Sequence, residues 1–279
     1  MSLDTFKMAI DGLKEFPDKL KMISFDGWGE PMLNPELPEM IAYAKQADVA
    51  DRLELVTNSY SITHERADAI VNAGLDRVRI SIQGLNAEKY RDVSNVNVDY
   101  ERLREQLKYL YDHKKQLSIY IKIIDVALDG ADEQVFYDMF SDRCDDIAIE
   151  HMVPTSENID YSQYQDACEK TQQGYEAKKI NVCPYPFYMM IVEPDGTVRT
   201  CCATRHPISL GNVKDKSLFE IWNGQQLMEF WKIHLRPAGR YGIKVCSECV
   251  NPDFGLQPGD YIDSNRKEIL ERVQNNVRN

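Results

Sequence analysis

Apolar positions along the first 160 residues alternate between two periods. Leu3, Phe6, Ile10 and Leu13 recur at helical spacing and stop before Pro17, which predicts a helix over 3–16. Residues 22–25 then form a short apolar run with the character of a buried strand. The same alternation repeats: helix over 38–47 behind Pro35 and Pro38, strand over 53–56, helix over 64–73 closed by Gly74. Strands follow at 77–83, 117–124 and 146–151, with helices at 100–113 and 132–140 between them. Five strands separated by helices imply a parallel sheet, open or closed into a barrel.

Parallel α/β folds place their chemistry at the carboxyl ends of the strands. Those ends here are Gly27-Trp28-Gly29-Glu30, Thr57-Asn58-Ser59, 81–84, Asp125 and His151-Met152. The row is polar and rich in glycine, which suits a ligand bearing amino, carboxylate and hydroxyl groups. After residue 160 the pattern changes. Residues 161–181 are polar and read as a linker with some helix. A second unit over 182–250 contains apolar runs at 188–192 and 197–200 around Glu193-Pro194-Asp195-Gly196, a hairpin signal. A helix over 217–234 starts at Ser217, with Glu220 completing a capping box. Residues 251–279 are a hydrophilic tail, weakly helical at its end.

Composition narrows the classes. Forty-five acids against 33 bases give a net charge of −12 with no basic face, which argues against nucleic acid as a partner. No apolar run approaches the roughly 18 residues of a membrane span, and no signal peptide opens the chain. A cytoplasmic, membrane-free protein is the expectation.

Cysteine carries the most specific signal. Cys144 and Cys168 lie singly and read as ordinary thiols, whereas Cys183, Cys201, Cys202, Cys246 and Cys249 gather in the last third. An odd count without an export signal favours metal or redox chemistry over disulfides. The hairpin brings Cys183 near Cys201 and Cys202, and Cys246-x-x-Cys249 returns after the helix. Four sulfurs about one centre mean zinc or an iron–sulfur cluster, and spacing alone leaves both open. Cys201 and Cys202 diverge if they lie on a strand, so one is the ligand, with Cys201 favoured and Cys202 the alternative.

Together these features resemble radical S-adenosylmethionine (SAM) enzymes with a SPASM or twitch auxiliary-cluster domain. Gly27-Trp28-Gly29-Glu30-Pro31 looks like the family's GGE motif, and 79–84 (RISIQG) resembles its Ser-x-Asp-Gly segment. Cys183-Pro184, Pro194-Asp195-Gly196-Thr197-Val198, Cys201-Cys202, Gly211-Asn212-Val213, 217–223 (SLFEIWN) and Cys246-x-x-Cys249 follow the SPASM pattern. The resemblance implies a partial (β/α)6 TIM-type barrel lacking its first strand, over 1–160, and a small hairpin/helix unit. It also implies one auxiliary [4Fe-4S] cluster on Cys183, Cys201, Cys246 and Cys249, with zinc as the alternative.

For the SAM site the resemblance implies Gly27, Trp28, Gly29 and Glu30 around the methionyl amino group and Ser81 at the ribose. Asn58 is implied as a hydrogen-bonding partner, or as a cap of its own loop. Gln83 stands where the family has aspartate. His151 and Met152 end the last strand, where relatives contact adenine, although a structural histidine is the plainer reading of His151. Lys122, Asp125 and Arg205 are candidate substrate contacts, and Lys122 either points into the barrel or snorkels between helices.

One departure is large. The family's Cys-x3-Cys-x2-Cys loop, which binds the SAM-cleaving cluster, has no counterpart, because no cysteine precedes Cys144. The expectation is a truncated chain that opens on the helix after that loop, the SAM-cleaving cluster belonging only to a full-length form. The implied activity is an oxidoreductase type: a 5′-deoxyadenosyl radical takes a hydrogen atom from a carbohydrate- or aminocyclitol-like substrate, with an external electron donor. Peptide maturation is the alternative substrate class. A non-catalytic, metal- or cluster-stapled ligand-binding module is the alternative function.

Overall fold

The computed structural model describes residues 1–155, 159–162 and 169–276. Cys168 lies outside the described residues, as do residues 163–167 of the 161–181 stretch. Two units divide between Glu150 and His151.

The first unit, Ser2–Glu150, alternates helix and strand throughout. Its elements are α1 (Leu3–Leu13), β1 (Ile23–Phe25), α2 (Leu37–Ala47), β2 (Leu53–Thr57), α3 (His64–Asn72), β3 (Arg77–Ile82), α4 (Ala87–Ser94), α5 (Tyr100–Asp112), β4 (Ser118–Ile124), α6 (Glu133–Phe140) and β5 (Asp146–Glu150). Side chains of Ser2, Thr63, Asn86, Asp99 and Asp132 accept from backbone N–H groups and open five of the helices. Each such cap is worth about 1 kcal/mol. Helix α4 escapes sequence reading because it has no apolar stripe: Tyr90 is its one buried residue.

All five strands are parallel, in the order β1-β2-β3-β4-β5, with edges at β1 and β5. A parallel sheet covered on both faces reads as continuous Val, Ile and Leu. Here β3 and β4 alternate instead. Val78, Ile80 and Ile82, with Ile119, Ile121 and Ile123, are at most 2% exposed. Arg77, Arg79 and Ser81 point to the opposite face, in register with Ser118, Tyr120 and Lys122. One face is thus an apolar core and the other a largely charged layer, in a partial TIM-type barrel.

The second unit, His151–Asn279, holds a three-stranded antiparallel sheet: β6 (Ile191–Val192), β7 (Thr197–Arg199) and β8 (Ser209–Asn212). The turn between β6 and β7 closes as the Asp-Gly signal predicts. Gly196 has φ +91°, and a Cβ there would lie 2.6 Å from the Asn212 side chain. Sequence reading expected one helix over 217–234. The structure breaks it into α7 (Leu218–Trp222) and α8 (Gln225–His234), because Gly224 takes an extended conformation and caps the second. The Ser217–Glu220 capping box is present.

Helices α9 (Lys244–Ser247), α10 (Asn251–Phe254) and α11 (Arg266–Asn276) complete this unit. Residues after 250 take part in the packing. Val273 joins Val182 and Leu235 in a buried cluster, flanked by Ile262, Ile269, Leu270, Phe187 and Trp231. Among the described residues no helix is long and apolar enough to cross a membrane.

Candidate functional site

The carboxyl ends of β1, β2 and β3 are tied together by side chains. Glu30 caps a 3₁₀ turn (Pro31–Leu33), its Oε1 accepting from the Met32 N–H at 3.0 Å. The same oxygen accepts from the Thr57 hydroxyl at 2.7 Å, and Oε2 accepts from the Asn58 N–H at 2.8 Å. One carboxylate therefore fastens the loop after β1 to the end of β2. A carboxylate offers about four acceptor positions, and these donors fill three. Gly27 has φ +143°, and a Cβ at Gly27 or Gly29 would meet no atom within 4 Å, so the backbone of this loop is open to close approach. Trp28 is 66% exposed and stands in solvent.

Asn58 does cap its own loop, accepting from the Tyr60 N–H at 3.0 Å. Its carbonyl accepts from the Tyr90 hydroxyl at 3.2 Å. The backbone of Gln83 hydrogen-bonds that same hydroxyl, while burial pushes its pKa up to about 12. Tyr90 thus joins the ends of β2 and β3, although nothing in the pattern of 87–94 marks it. Ser81 is half-buried, and its carbonyl accepts from the Gln83 side chain at 3.1 Å. Asp125 starts a 3₁₀ turn and accepts from the Val126 N–H at 2.7 Å.

Lys122 lies on the charged face, away from the helices, where it pairs with Glu150. Sequence reading did not single out the network around this pair. Arg79 lies 3.5 Å from Glu54 and 4.0 Å from Glu150, and Arg77 lies 3.6 Å from Glu54 and 3.3 Å from Asp146. Both guanidinium groups stack over Tyr120, at 5.2 and 5.8 Å from the ring centre. The Tyr120 hydroxyl donates to Glu150 at 3.2 Å. Burial and the Glu150 charge push its pKa up to about 12. Polar residues at every second position of 77–81 and 118–122 are the sequence signal for this layer.

The remaining candidates belong to the second unit. The His151 N–H donates to the Gln172 carbonyl at 3.0 Å, its ring lies against Gly174, and Met152 follows it. Arg205 pairs with Glu248 at 2.6 Å and lines a cavity that opens to solvent. Cys183, Cys201, Cys246 and Cys249 all line that cavity, with His234 and Arg240. Cys202 is exposed and does not. Adjacent residues leaving β7 point in opposite directions, which separates the two thiols.

Local structure explains each placement. Cys183 precedes a 3₁₀ turn (Tyr185–Phe187) anchored where Trp231 Nε1 donates to the Pro186 carbonyl at 2.6 Å. Cys201 leaves the hairpin, whose arm is held by Arg199 Nε donating to Glu193 at 2.9 Å. Cys246 and Cys249 bracket one turn, with the Cys249 N–H donating to the Cys246 carbonyl at 3.3 Å. Burial raises the Cys183 thiol well above its ordinary pKa, and its three partner thiols add to the effect. Burial likewise pushes Cys246 up to about 12, reinforced by Cys201 and Cys249.

These four thiols are close enough to feel one another's charge, and a bound cation would deprotonate them. Among the described residues no group of three or more His, Cys, Asp or Glu side chains is arranged to hold a single metal ion. Four cysteines lining one cavity, with no carboxylate in its lining, fit a thiolate-held iron–sulfur cluster.

His234 backs the cavity at 0% exposure, with neither ring nitrogen in a hydrogen bond of good geometry. Burial lowers its pKa to about 4, although the Phe230 carbonyl and Arg240 also act on it, in opposite directions. The residues before Cys144 contain no cysteine, so they do not fit a SAM-cleaving cluster.

Comparison with known proteins follows this division. The family model of the radical SAM superfamily matches residues 1–141, and that of SPASM, an iron–sulfur cluster-binding domain, matches 183–250. The chain is 24% identical over 288 aligned positions to the tungsten-containing aldehyde ferredoxin oxidoreductase cofactor-modifying protein of Pyrococcus furiosus, covering 89% of this chain and 79% of that one. A shorter match, 36% identical over 75 residues, to the GTP 3′,8-cyclase of Chlorobaculum tepidum spans 27% of this chain and 22% of that one. Among solved structures, BtrN in complex with AdoMet and 2-DOIA superposes with a TM-score of 0.58 at 17% identity, over 94% of this chain and 85% of that one, a likeness of fold.

Proposed function

This chain belongs to the radical SAM superfamily of enzymes and carries a SPASM iron–sulfur cluster-binding domain, and on that premise we propose that it binds SAM at the strand ends of its first unit and one auxiliary [4Fe-4S] cluster in its second. The observation that carries the reading is the cavity lined by Cys183, Cys201, Cys246 and Cys249. The cluster, when bound, would bind substrate or accept an electron from it. We assign the superfamily's reaction class, hydrogen-atom abstraction by a 5′-deoxyadenosyl radical, with electrons from an external donor. The substrate we assign is a small carbohydrate- or aminocyclitol-like molecule in preference to a peptide, on the ground that this chain has a single four-cysteine auxiliary site.

The chain's own residues support the SAM half of the reading. Glu30, already holding three donors, keeps an acceptor position for the methionyl ammonium, and the open backbone of Gly27 and Gly29 lets that group approach. Asn58, Ser81 and Gln83 line up on the next two strand ends as hydroxyl or carboxylate partners. His151 and Met152 are assigned to adenine, and Asp125 and Arg205 to substrate. Lys122 is assigned there too, in competition with its pairing to Glu150.

Anaerobic reconstitution of the chain with iron and sulfide, followed by SAM titration calorimetry, tests both halves. The expected result is a stable iron–sulfur absorbance and SAM binding that Glu30→Gln weakens about tenfold, as loss of one charge-assisted hydrogen bond predicts. Native protein that takes up only zinc overturns the cluster half. A Glu30→Gln variant that binds SAM as tightly as native protein overturns the SAM half.

A further inference from the structure

Behind the turn that carries Cys246 and Cys249 lies Arg240, the largest fully buried side chain among the described residues. Its donors are engaged on all sides. Nε donates to the Ile180 carbonyl at 2.9 Å. One terminal nitrogen donates to the carbonyls of Cys246 and Cys249, at 3.4 and 2.5 Å. The other donates to both oxygens of Asp253, at 2.7 and 2.6 Å, and to the Tyr241 hydroxyl at 3.0 Å.

Asp253 closes the loop by accepting from the Ile180 N–H at 3.1 Å, and the Arg240 backbone N–H donates to the Asn181 carbonyl at 2.8 Å. Residues 180 and 181 lead directly into Cys183. One guanidinium therefore grips the backbone entering the first cysteine and the two carbonyls that set the direction of the last two. Burying an ion pair costs several kcal/mol in desolvation, and well-packed apolar residues serve stability as well or better. What an apolar side chain lacks is the planar fork that fixes three carbonyls at once.

We infer that Arg240, latched by Asp253, is a positioning residue for the cluster: it aims the Cys246 and Cys249 thiols into the cavity before any iron arrives. The inference rests on the proposed four-cysteine cluster. Arg240 lines the cavity and touches the ligand residues through their carbonyls; its positioning role is exerted by holding the turn. Outer partners of metal ligands commonly govern affinity in this way, by 10–100-fold when removed.

The test uses the full chain, reconstituted with iron and sulfide, in native form and as Arg240→Gln, Arg240→Lys and Asp253→Asn, with the exposed Arg272→Gln as control. Iron release to a chelator and the EPR spectrum of the reduced cluster are recorded, with circular dichroism of each cluster-free protein. Arg240→Gln is expected to release iron at least about tenfold faster and to broaden the EPR signal. Arg240→Lys keeps the charge but not the fork, and is expected to resemble Arg240→Gln rather than native protein. Asp253→Asn is expected to fall between, and it carries the test if Arg240→Gln does not fold.

Native retention and spectra in the folded variants, or full rescue by lysine, overturn the latch. So do variants that melt earlier without cluster yet hold iron as native protein does. Native protein that takes up no iron and sulfide overturns the proposed cluster instead, and the latch with it.

Discussion

In the first unit the candidate ligand groups come from segments that the fold rule for parallel sheets already gathers: Gly27 to Glu30, Asn58 and Ser81 each follow or end a strand, and the strands are neighbours. In the second unit the four cysteines come from the approach to a 3₁₀ turn, a hairpin exit and a single helical turn, with no repeating rule to assemble them. Their environments differ as much. The strand-end loop is open, polar and held by two backbone N–H groups and one hydroxyl on a single carboxylate. In the cysteine cavity burial raises the Cys183 and Cys246 thiols above their ordinary pKa, so a cation bound there would favour loss of their protons. A chain can thus prepare one site by exposing polar groups and another by desolvating soft ones.

Breaking the second site is expected to have the largest effect. Cys201→Ser should abolish retention of iron and sulfide, whereas Cys202→Ser should leave it near native, because only Cys201 lines the cavity. Metal analysis after gel filtration checks both, and equal loss in the two variants would undo the assignment.

The charged layer of the first unit comes next. Glu150→Gln leaves Lys122 and Arg79 facing a neutral amide in a buried network. It should destabilise the unit by about 3 kcal/mol in urea unfolding. The double change Lys122→Met with Glu150→Leu should cost less than Glu150→Gln alone, since it removes both charges; a larger cost would show that the layer does more than neutralise itself.

The smallest effect concerns Ser59, a buried non-glycine residue that adopts φ +61°. Ser59→Gly removes a left-handed penalty of about 1 kcal/mol, offset by the entropy glycine adds to the unfolded chain. A net gain of about 0.5 kcal/mol or less is expected, and a clear loss would mean that the buried hydroxyl matters more than the backbone strain.

Much of this was legible in the residues. Strand and helix order through 1–150 follows from period, and Asp195-Gly196 marked its hairpin, because these signals are local. Helix α4 was not legible, since its single buried residue leaves no stripe, and neither was the break at Gly224, where one glycine decides between one helix and two. Tyr90 is not legible as a member of the strand-end site, because its hydroxyl acts on a backbone carbonyl, that of Asn58, distant in sequence.

From its sequence alone the chain declared an alternating parallel α/β unit, an Asp-Gly hairpin and a cysteine set too numerous for chance, since period, turn chemistry and residue type are properties of neighbouring positions. Tertiary structure decided the rest. It put Cys201 in the cavity wall and left Cys202 exposed, turned Lys122 toward Glu150, set Glu30 as a fastener between two strands, and bound Arg240 to the carbonyls of a pair of cysteines. Each of those choices depends on which groups are buried together, and burial is settled only when distant segments pack.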